Sequence, residues 1–290
     1  MPDQNAARLR ELLAHTSRTF AIAIPLLPEP EACEVGLAYL LLRVADTIED
    51  STIPAAERVE LLDVFAAALE DPAEPAGREL VARASRPDFT ANAWYRALTA
   101  DTPLLLAELE RLAPVPRRII VDHCLQTTRG MRSFVGRGEL TFRTERELRD
   151  YCYVVAGLVG ELLTELFLHH APQLTVVREA LTARAKYFGE ALQLTNILKD
   201  AADDRAQGRH FLGSPALLPA AFRLAESDLQ AAREYYNLLA EHHAPPGYLA
   251  FTRFPVELAA ATLEQVRLHG AGAKVDREMV QRVLREVQNA

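Results

Sequence analysis

Helical periodicity is the feature of this sequence that most limits its fold. Apolar residues recur at spacings of three and four along most of the chain, and no segment shows the alternation of a half-buried strand. Prolines cluster between the periodic segments, in PLLPEPE, DPAEP, APVP and HHAPPG, which indicates loops. The pattern predicts helices near residues 5–15, 31–50, 56–70, 92–112, 115–135, 145–170, 176–204, 215–242, 250–268 and 275–288.

Length and composition fit one all-α domain. The chain has 290 residues, 49% of them hydrophobic, and it shows no internal repeat and no long linker. These values are ordinary for a globular protein that can bury a large core. We therefore expect a single domain over residues 1–290, built as a helical bundle around a central core or cavity.

Charge and cysteine content narrow the class of protein. A formal net charge of -8 with no basic stripe argues against nucleic-acid binding. Cys33, Cys124 and Cys152 are far apart and form no CxxC pair, so a reducing cytoplasm is the expected location. The N-terminus is polar and does not resemble a secretory signal. The most apolar stretch, VVAGLVGELLTELFL, is interrupted by Glu161 and Glu165, which favours a soluble or at most peripheral protein.

One helix ends in a concentration of acids, in the segment LLRVADTIED. If residues 35–50 are helical, Tyr39, Arg43, Asp46 and Asp50 follow one line of the helix surface. We call this line the first acidic row; Glu49 directly precedes its last member. Most of the remaining circumference is apolar, and such a helix is normally buried. The row is therefore expected to face an interior cavity.

A second segment, FGEALQLTNILKDAADD, repeats this arrangement. Its polar line, the second acidic row, consists of Gly189, Gln193, Asn196, Asp200 and Asp204. Asp203 takes the place that Glu49 has in the first segment. For either row alone, a solvated helix face explains the charge equally well. Two matching rows favour convergence on one cavity, where carboxylates would repel unless cations neutralised them. Mg²⁺, which binds one or two carboxylates together with substrate phosphates, suits such a site.

Four segments in order resemble the squalene/phytoene synthase family. They are SRTFAIAIPLLP, YLLLRVADTIED, YCYVVAGLVGELLTELF and LQLTNILKDAADDRAQGRHF, and the resemblance extends over nearly the whole chain. It implies the isoprenoid synthase fold, a single helical bundle around a central hydrophobic channel. It also implies the head-to-head joining of two prenyl diphosphates through a cyclopropyl diphosphate intermediate.

The resemblance assigns roles to particular residues. It implies Mg²⁺ ligands at Asp46, Glu49, Asp50, Asn196, Asp200 and Asp204. It implies contacts to substrate diphosphate from Ser17, Arg18, Arg43, Gln193, Asn196 and Arg209. Tyr39 and Tyr151 would line the reacting centre, with Tyr151 steering carbocation rearrangement or proton loss. Gly157 and Gly160 would allow close approach either of two helices or of the prenyl tail.

The product is less closely defined than the reaction. We expect two farnesyl diphosphates to give squalene or a C30 relative such as dehydrosqualene or hydroxysqualene, with NADPH required for squalene. Phytoene formation from geranylgeranyl diphosphate is the main alternative, followed by a terpene cyclase and a non-catalytic assembly-factor relative. Release of so apolar a product leaves peripheral membrane contact open, and the sequence identifies no protein partner. Four departures from the family pattern bear on product choice: Asp203, Lys199, the absence of a proline after Phe211 and the absence of an aromatic residue in LHGAGAKVDREMV.

Overall fold

The computed structural model describes residues 2–72, 76–86, 88–138, 140–206 and 208–288, and within them the regular structure is helical. An isolated parallel bridge between Thr141 and His210 is the one β contact of these residues. The α-helices are α1 (Pro2–Thr16), α2 (Phe20–Ala23), α3 (Glu31–Glu49), α4 (Ala55–Glu70), α5 (Ala76–Ala84), α6 (Ala93–Ala100), α7 (Thr102–Glu110), α8 (Pro114–Gly136), α9 (Glu145–Cys152), α10 (Leu158–His170), α11 (Arg178–Ala206), α12 (Leu217–Glu241), α13 (Pro246–His269) and α14 (Arg277–Gln288). The prediction of an all-α fold is confirmed.

Contacts group the chain into two compact units, residues 1–138 and residues 139–290. In the first unit α3 packs against α4, α7 and α8. Leu37, Leu40, Leu41, Val44 and Ile48 of α3 are all buried, as expected for the side of the helix opposite the first acidic row. The single-domain assignment and the central channel stay predictions.

The second unit is organised around α11, the longest helix, which packs against α10, α12 and α13. Two glycines explain how closely α11 approaches its neighbours. A Cβ on Gly189 would lie 1.8 Å from the carbonyl oxygen of Ala156, and one on Gly160 would lie 2.0 Å from that of Ala185. Only glycine permits this backbone contact. Of the two roles considered for Gly160, close helix packing is therefore the one observed.

A turn of π-helix, Tyr153–Gly157, joins α9 to α10 within the signature segment. The continuous helical stretch Glu145–His170 is long and apolar enough to cross a membrane, although 61% of its most apolar window is buried inside the protein. A core helix of a soluble protein passes the same criterion. At the start of α9, Thr144 and Glu147 form a capping box, which fixes where the helix begins.

The observed helices differ in places from the predicted ones. The segment predicted as one helix over 92–112 is divided into α6 and α7, because Pro103 lies in the first turn of a new helix that begins at Thr102. Helix α5 was not predicted; the proline-containing segment DPAEP directly before it was interpreted as a loop. Its position is fixed by packing against α4, α6 and α7.

Candidate functional site

Three members of the first acidic row form one connected network on α3. The Arg43 guanidinium donates to the Tyr39 hydroxyl at 2.9 Å and is hydrogen-bonded to Asp46. The Tyr39 hydroxyl in turn donates to the carbonyl of Thr16 at 3.2 Å. Burial alone would lower the pKa of Arg43, but Asp46 and Tyr39 outweigh burial and hold that pKa above its ordinary value. Arg43 is therefore a fixed cation, placed beside a carboxylate.

The other predicted residues of the first unit differ in exposure. Asp50 caps the C-terminus of α3 and is exposed, whereas Glu49 is buried. The carbonyl oxygen of Glu49 accepts a hydrogen bond from Arg58 at 2.6 Å. Ser17 is half-buried and accepts from the backbone N–H of Phe20 at 3.0 Å, whereas Arg18 is exposed. The metal and diphosphate roles of these residues stay predictions.

A cation, Lys199, contacts the second acidic row, although the sequence indicated it only as a departure from the family pattern. The Lys199 ammonium donates to the Asn196 side-chain oxygen at 3.0 Å and lies 3.2 Å from a carboxylate oxygen of Asp200. Lys199 follows Asn196 by three residues, so helical spacing was the available signal for this contact. Gln193 is half-buried one turn earlier on the same helix.

Asp204, at the end of the second row, is held by Arg209. The guanidinium donates to one carboxylate oxygen from two nitrogens, at 2.8 and 3.1 Å, and the backbone N–H of Arg209 donates to the Asp204 carbonyl at 2.9 Å. Burial raises the pKa of Asp204, and Asp200 and Asp203 add to that rise, while Arg209 opposes it. The loop after α11 therefore folds back onto the helix end and brings an arginine to the acids.

Tyr151 belongs to an aromatic group that the sequence did not reveal. Its ring is buried and contacts Phe142 and Phe211, with a centroid distance of 5.2 Å in both cases, and the two phenylalanine rings contact each other at 5.9 Å. Backbone hydrogen bonds join the two segments that carry the phenylalanines, from Phe142 to His210 and from Gly213 to Phe142. Because Phe211 follows Arg209 by two residues, these bonds place Tyr151 near the loop that holds Asp204.

The donor set of each row suits Mg²⁺ in kind. Within the described ranges, no group of three or more His, Cys, Asp or Glu side chains is close enough to hold a metal ion. Each row nevertheless offers two carboxylates one helical turn apart, Asp46 with Asp50 and Asp200 with Asp204. Mg²⁺ commonly takes one or two protein carboxylates and completes its shell with waters and substrate phosphates. The expected repulsion within the rows is already reduced by Arg43, Lys199 and Arg209.

Solved structures with the same arrangement of helices define the class of fold. The structure of TcSQS with the ligand BPH1237 matches with a TM-score of 0.75 at 23% sequence identity, over 98% of this chain and 86% of that chain. A dehydrosqualene synthase in complex with a ligand matches with a TM-score of 0.61 at 21% identity, over 99% and 96% of the two chains. The fold is therefore the isoprenoid synthase fold.

Sequence comparison identifies the family within that fold. The squalene/phytoene synthase family model matches residues 13–221, which include both acidic rows and the Tyr-Cys signature. Squalene synthase from Bos taurus is 35% identical over 201 residues, which are 69% of this chain and 44% of the bovine protein. The chain belongs to the squalene/phytoene synthase family, and it aligns with less than half the length of this relative.

Proposed function

We propose that this protein is a Mg²⁺-dependent prenyltransferase that joins two farnesyl diphosphates head to head. Its product would be squalene or a C30 relative such as dehydrosqualene. The observation that carries the proposal is that the family match over residues 13–221 includes both acidic rows, each with two carboxylates one helical turn apart. The relatives named squalene and dehydrosqualene synthases support a C30 product.

Ionisation of an allylic diphosphate is the step that the two rows would serve. Bound Mg²⁺ would neutralise the charge that develops on the departing diphosphate. In each row the pair of carboxylates, Asp46 with Asp50 and Asp200 with Asp204, would hold an ion. Arg43 and Arg209 are planar cations that match phosphate oxygens in pairs, and both are already oriented by hydrogen bonds to the protein. Such preorganised charge stabilises a transition state without further rearrangement.

The carbocation left by ionisation needs dry, electron-rich surroundings. Tyr151, Phe142 and Phe211 form a buried aromatic group, and each ring face stabilises a nearby cation by about 0.5–2 kcal/mol. Water excluded by these rings cannot quench the intermediate. The Tyr151 hydroxyl is the polar atom of the group that would accept or return a proton during rearrangement.

Incubation with labelled substrates tests the proposal. The purified protein is given farnesyl or geranylgeranyl diphosphate, each with and without Mg²⁺ and NADPH. A C30 hydrocarbon from farnesyl diphosphate that requires Mg²⁺ is the expected result, and NADPH dependence separates squalene from dehydrosqualene. A C40 product would instead indicate phytoene formation. Diphosphate release without a coupled hydrocarbon would indicate a cyclase, and no release would indicate a non-catalytic relative.

A further inference from the structure

In the second unit a half-buried arginine is paired with two buried carboxylates, and this cluster has no role in the reaction described above. The Arg149 guanidinium on α9 donates a hydrogen bond to each carboxylate oxygen of Asp228 on α12, at 2.8 and 2.9 Å. The same guanidinium is hydrogen-bonded to Glu190 on α11. Asp228 is 0% exposed and Glu190 is 2% exposed. One side chain therefore connects three helices in the interior of the unit.

Holding helices together through this cluster costs desolvation free energy, because charged groups are buried. The cluster buries two carboxylates against one guanidinium, and burial raises the pKa of both Glu190 and Asp228. Buried ion pairs are often no more stable than well-packed apolar residues of similar volume. Their advantage is geometric, since a bidentate fork accepts only one orientation. The cluster is therefore better explained by orientation than by stability.

The segment next to Arg149 is one whose orientation needs fixing. Arg149 lies two residues before Tyr151 and four before the π-helix Tyr153–Gly157. A π-turn carries one extra residue, so the helix on one side is rotated relative to the helix on the other. Beyond the π-turn, α10 is held against α11 by the contact between Gly160 and Ala185. Before it, Arg149 makes the corresponding attachment of α9 to α11.

Glu190 stands between these two attachments. It follows Gly189, whose missing side chain admits the carbonyl of Ala156, and its carboxylate lies 3.2 Å from where a Cβ of Gly157 would be. Arg149 and Tyr151, two residues apart on a helix, point to roughly opposite sides of α9. Fixing the guanidinium against Glu190 and Asp228 thus sets the direction in which the Tyr151 ring points.

We propose that Arg149 is a positioning residue, which acts through Glu190 and Asp228 to hold the Tyr151 ring against Phe142 and Phe211 and so controls how the cyclopropyl intermediate partitions. This inference rests on the proposed function. In this proposal Arg149 does not contact the substrate. A displaced Tyr151 would leave substrate binding largely intact and would slow the rearrangement, so that intermediate escapes before conversion.

The test separates orientation from stability by replacing the whole cluster. Arg149→Met alone would leave two buried carboxylates unpaired and would destabilise the fold. The informative variant combines Arg149→Met, Glu190→Met and Asp228→Leu, which should unfold at or above the wild-type midpoint. Its matched control is Arg184→Met, which removes an ion pair between α11 and Glu234 of α12. Arg149→Lys is a further variant, which keeps the positive charge but cannot form the bidentate hydrogen bonds to Asp228.

Two measurements test whether Arg149 positions the Tyr151 ring. In the triple variant, kcat should fall about ten- to a hundredfold with a smaller change in KM, and the ratio of released cyclopropyl diphosphate to hydrocarbon should rise. The kcat and the product ratio of Arg149→Lys should lie between those of wild type and the triple variant. The same two quantities should be unchanged from wild type in the control, Arg184→Met. The second readout needs no activity. In protein labelled with 3-fluorotyrosine, the ¹⁹F resonance of Tyr151, assigned with Tyr151→Phe, should move in the triple variant and not in the control.

Each outcome bears on the proposal. An unchanged product ratio with an unmoved Tyr151 resonance would overturn it. So would failure of the triple variant to fold, because the cluster would then act through stability. If the wild-type protein releases no diphosphate and forms no hydrocarbon, the proposed function is wrong, and the resonance alone then decides whether Arg149 orients Tyr151.

Discussion

Replacing Gly189 by alanine should destabilise the second unit through a contact between two backbones. The new Cβ would lie 1.8 Å from the Ala156 carbonyl oxygen. Carbon–oxygen contacts in proteins begin near about 3.3 Å, so α11 and the π-turn would have to separate by roughly 1.5 Å. Overpacking usually costs about 1–3 kcal/mol, and this site belongs at the upper end because neither atom can rotate away. Alanine returns about 0.5–1 kcal/mol through its helix propensity, leaving a net loss of about 2 kcal/mol.

Urea unfolding followed by circular dichroism measures this loss. With a slope of about 3 kcal/mol per molar, the midpoint should fall by about 0.7 M at unchanged slope. Gly36→Ala is the matched control, because Gly36 is also inside a helix but its Cβ would meet only a methyl group of Ile24 at an ordinary 3.7 Å. That variant should be more stable than wild type by about 0.5–1 kcal/mol. If Gly189→Ala unfolded like the wild type, the backbone contact would be wrong.

Three further results are expected. Asp46→Asn and Asp200→Asn should each lower turnover by about 10² or more without changing the helical spectrum, whereas Asp63→Asn, which removes an exposed partner of Arg132, should not. With a maleimide at pH 8 the folded protein should react at Cys33, because its side chain is exposed whereas Cys124 and Cys152 are buried. Burial raises the thiol pKa of all three cysteines, so access decides the order of reaction, and rapid loss of all three thiols would contradict this. Backbone hydrogen bonds lower the pKa of Glu147, so its ionised form stabilises the fold above the ordinary glutamate pKa. Glu147→Gln should therefore lower the melting temperature at pH 7, and its difference from wild type should vanish as the pH falls through the lowered pKa of Glu147. A difference from wild type that did not change with pH would refute the capping role of the ionised carboxylate.

The sequence was a good guide to the helices because their apolar periodicity reflects burial directly. The apolar side of α3 and its polar row were both read from spacing, and burial of Leu37, Val44 and Ile48 agrees. Spacing could not predict α5, which directly follows the loop-like segment DPAEP, or the break between α6 and α7. Helix α5 depends on the neighbouring helices that cover it, and a local pattern does not contain that information. The break between α6 and α7 does have a local signal, Pro103, but apolar periodicity alone overlooks it.

Within the site, contacts along one helix were predictable and contacts between distant segments were not. The network of Tyr39, Arg43 and Asp46 follows from helical spacing. The aromatic partners of Tyr151 are Phe142, which precedes α9, and Phe211, which follows α11. Backbone hydrogen bonds join residues 140–142 to residues 210–213, and no sequence pattern predicts that contact. The contact of Arg149 with Asp228 spans 79 residues, and it too depends on tertiary packing.

The basic residues paired with the acids of the two rows alter what ligand binding has to accomplish. Asp46, Asp200 and Asp204 each have a basic neighbour from the same chain, in Arg43, Lys199 and Arg209. Assembly of these helices therefore does not wait for a metal ion, and a chelator should leave the helical content as it was. Under the proposed function, Asp46, Asp200 and Asp204 would hold metal ions, while Arg43, Lys199 and Arg209 would bind diphosphate oxygens from the positions that these contacts already give them.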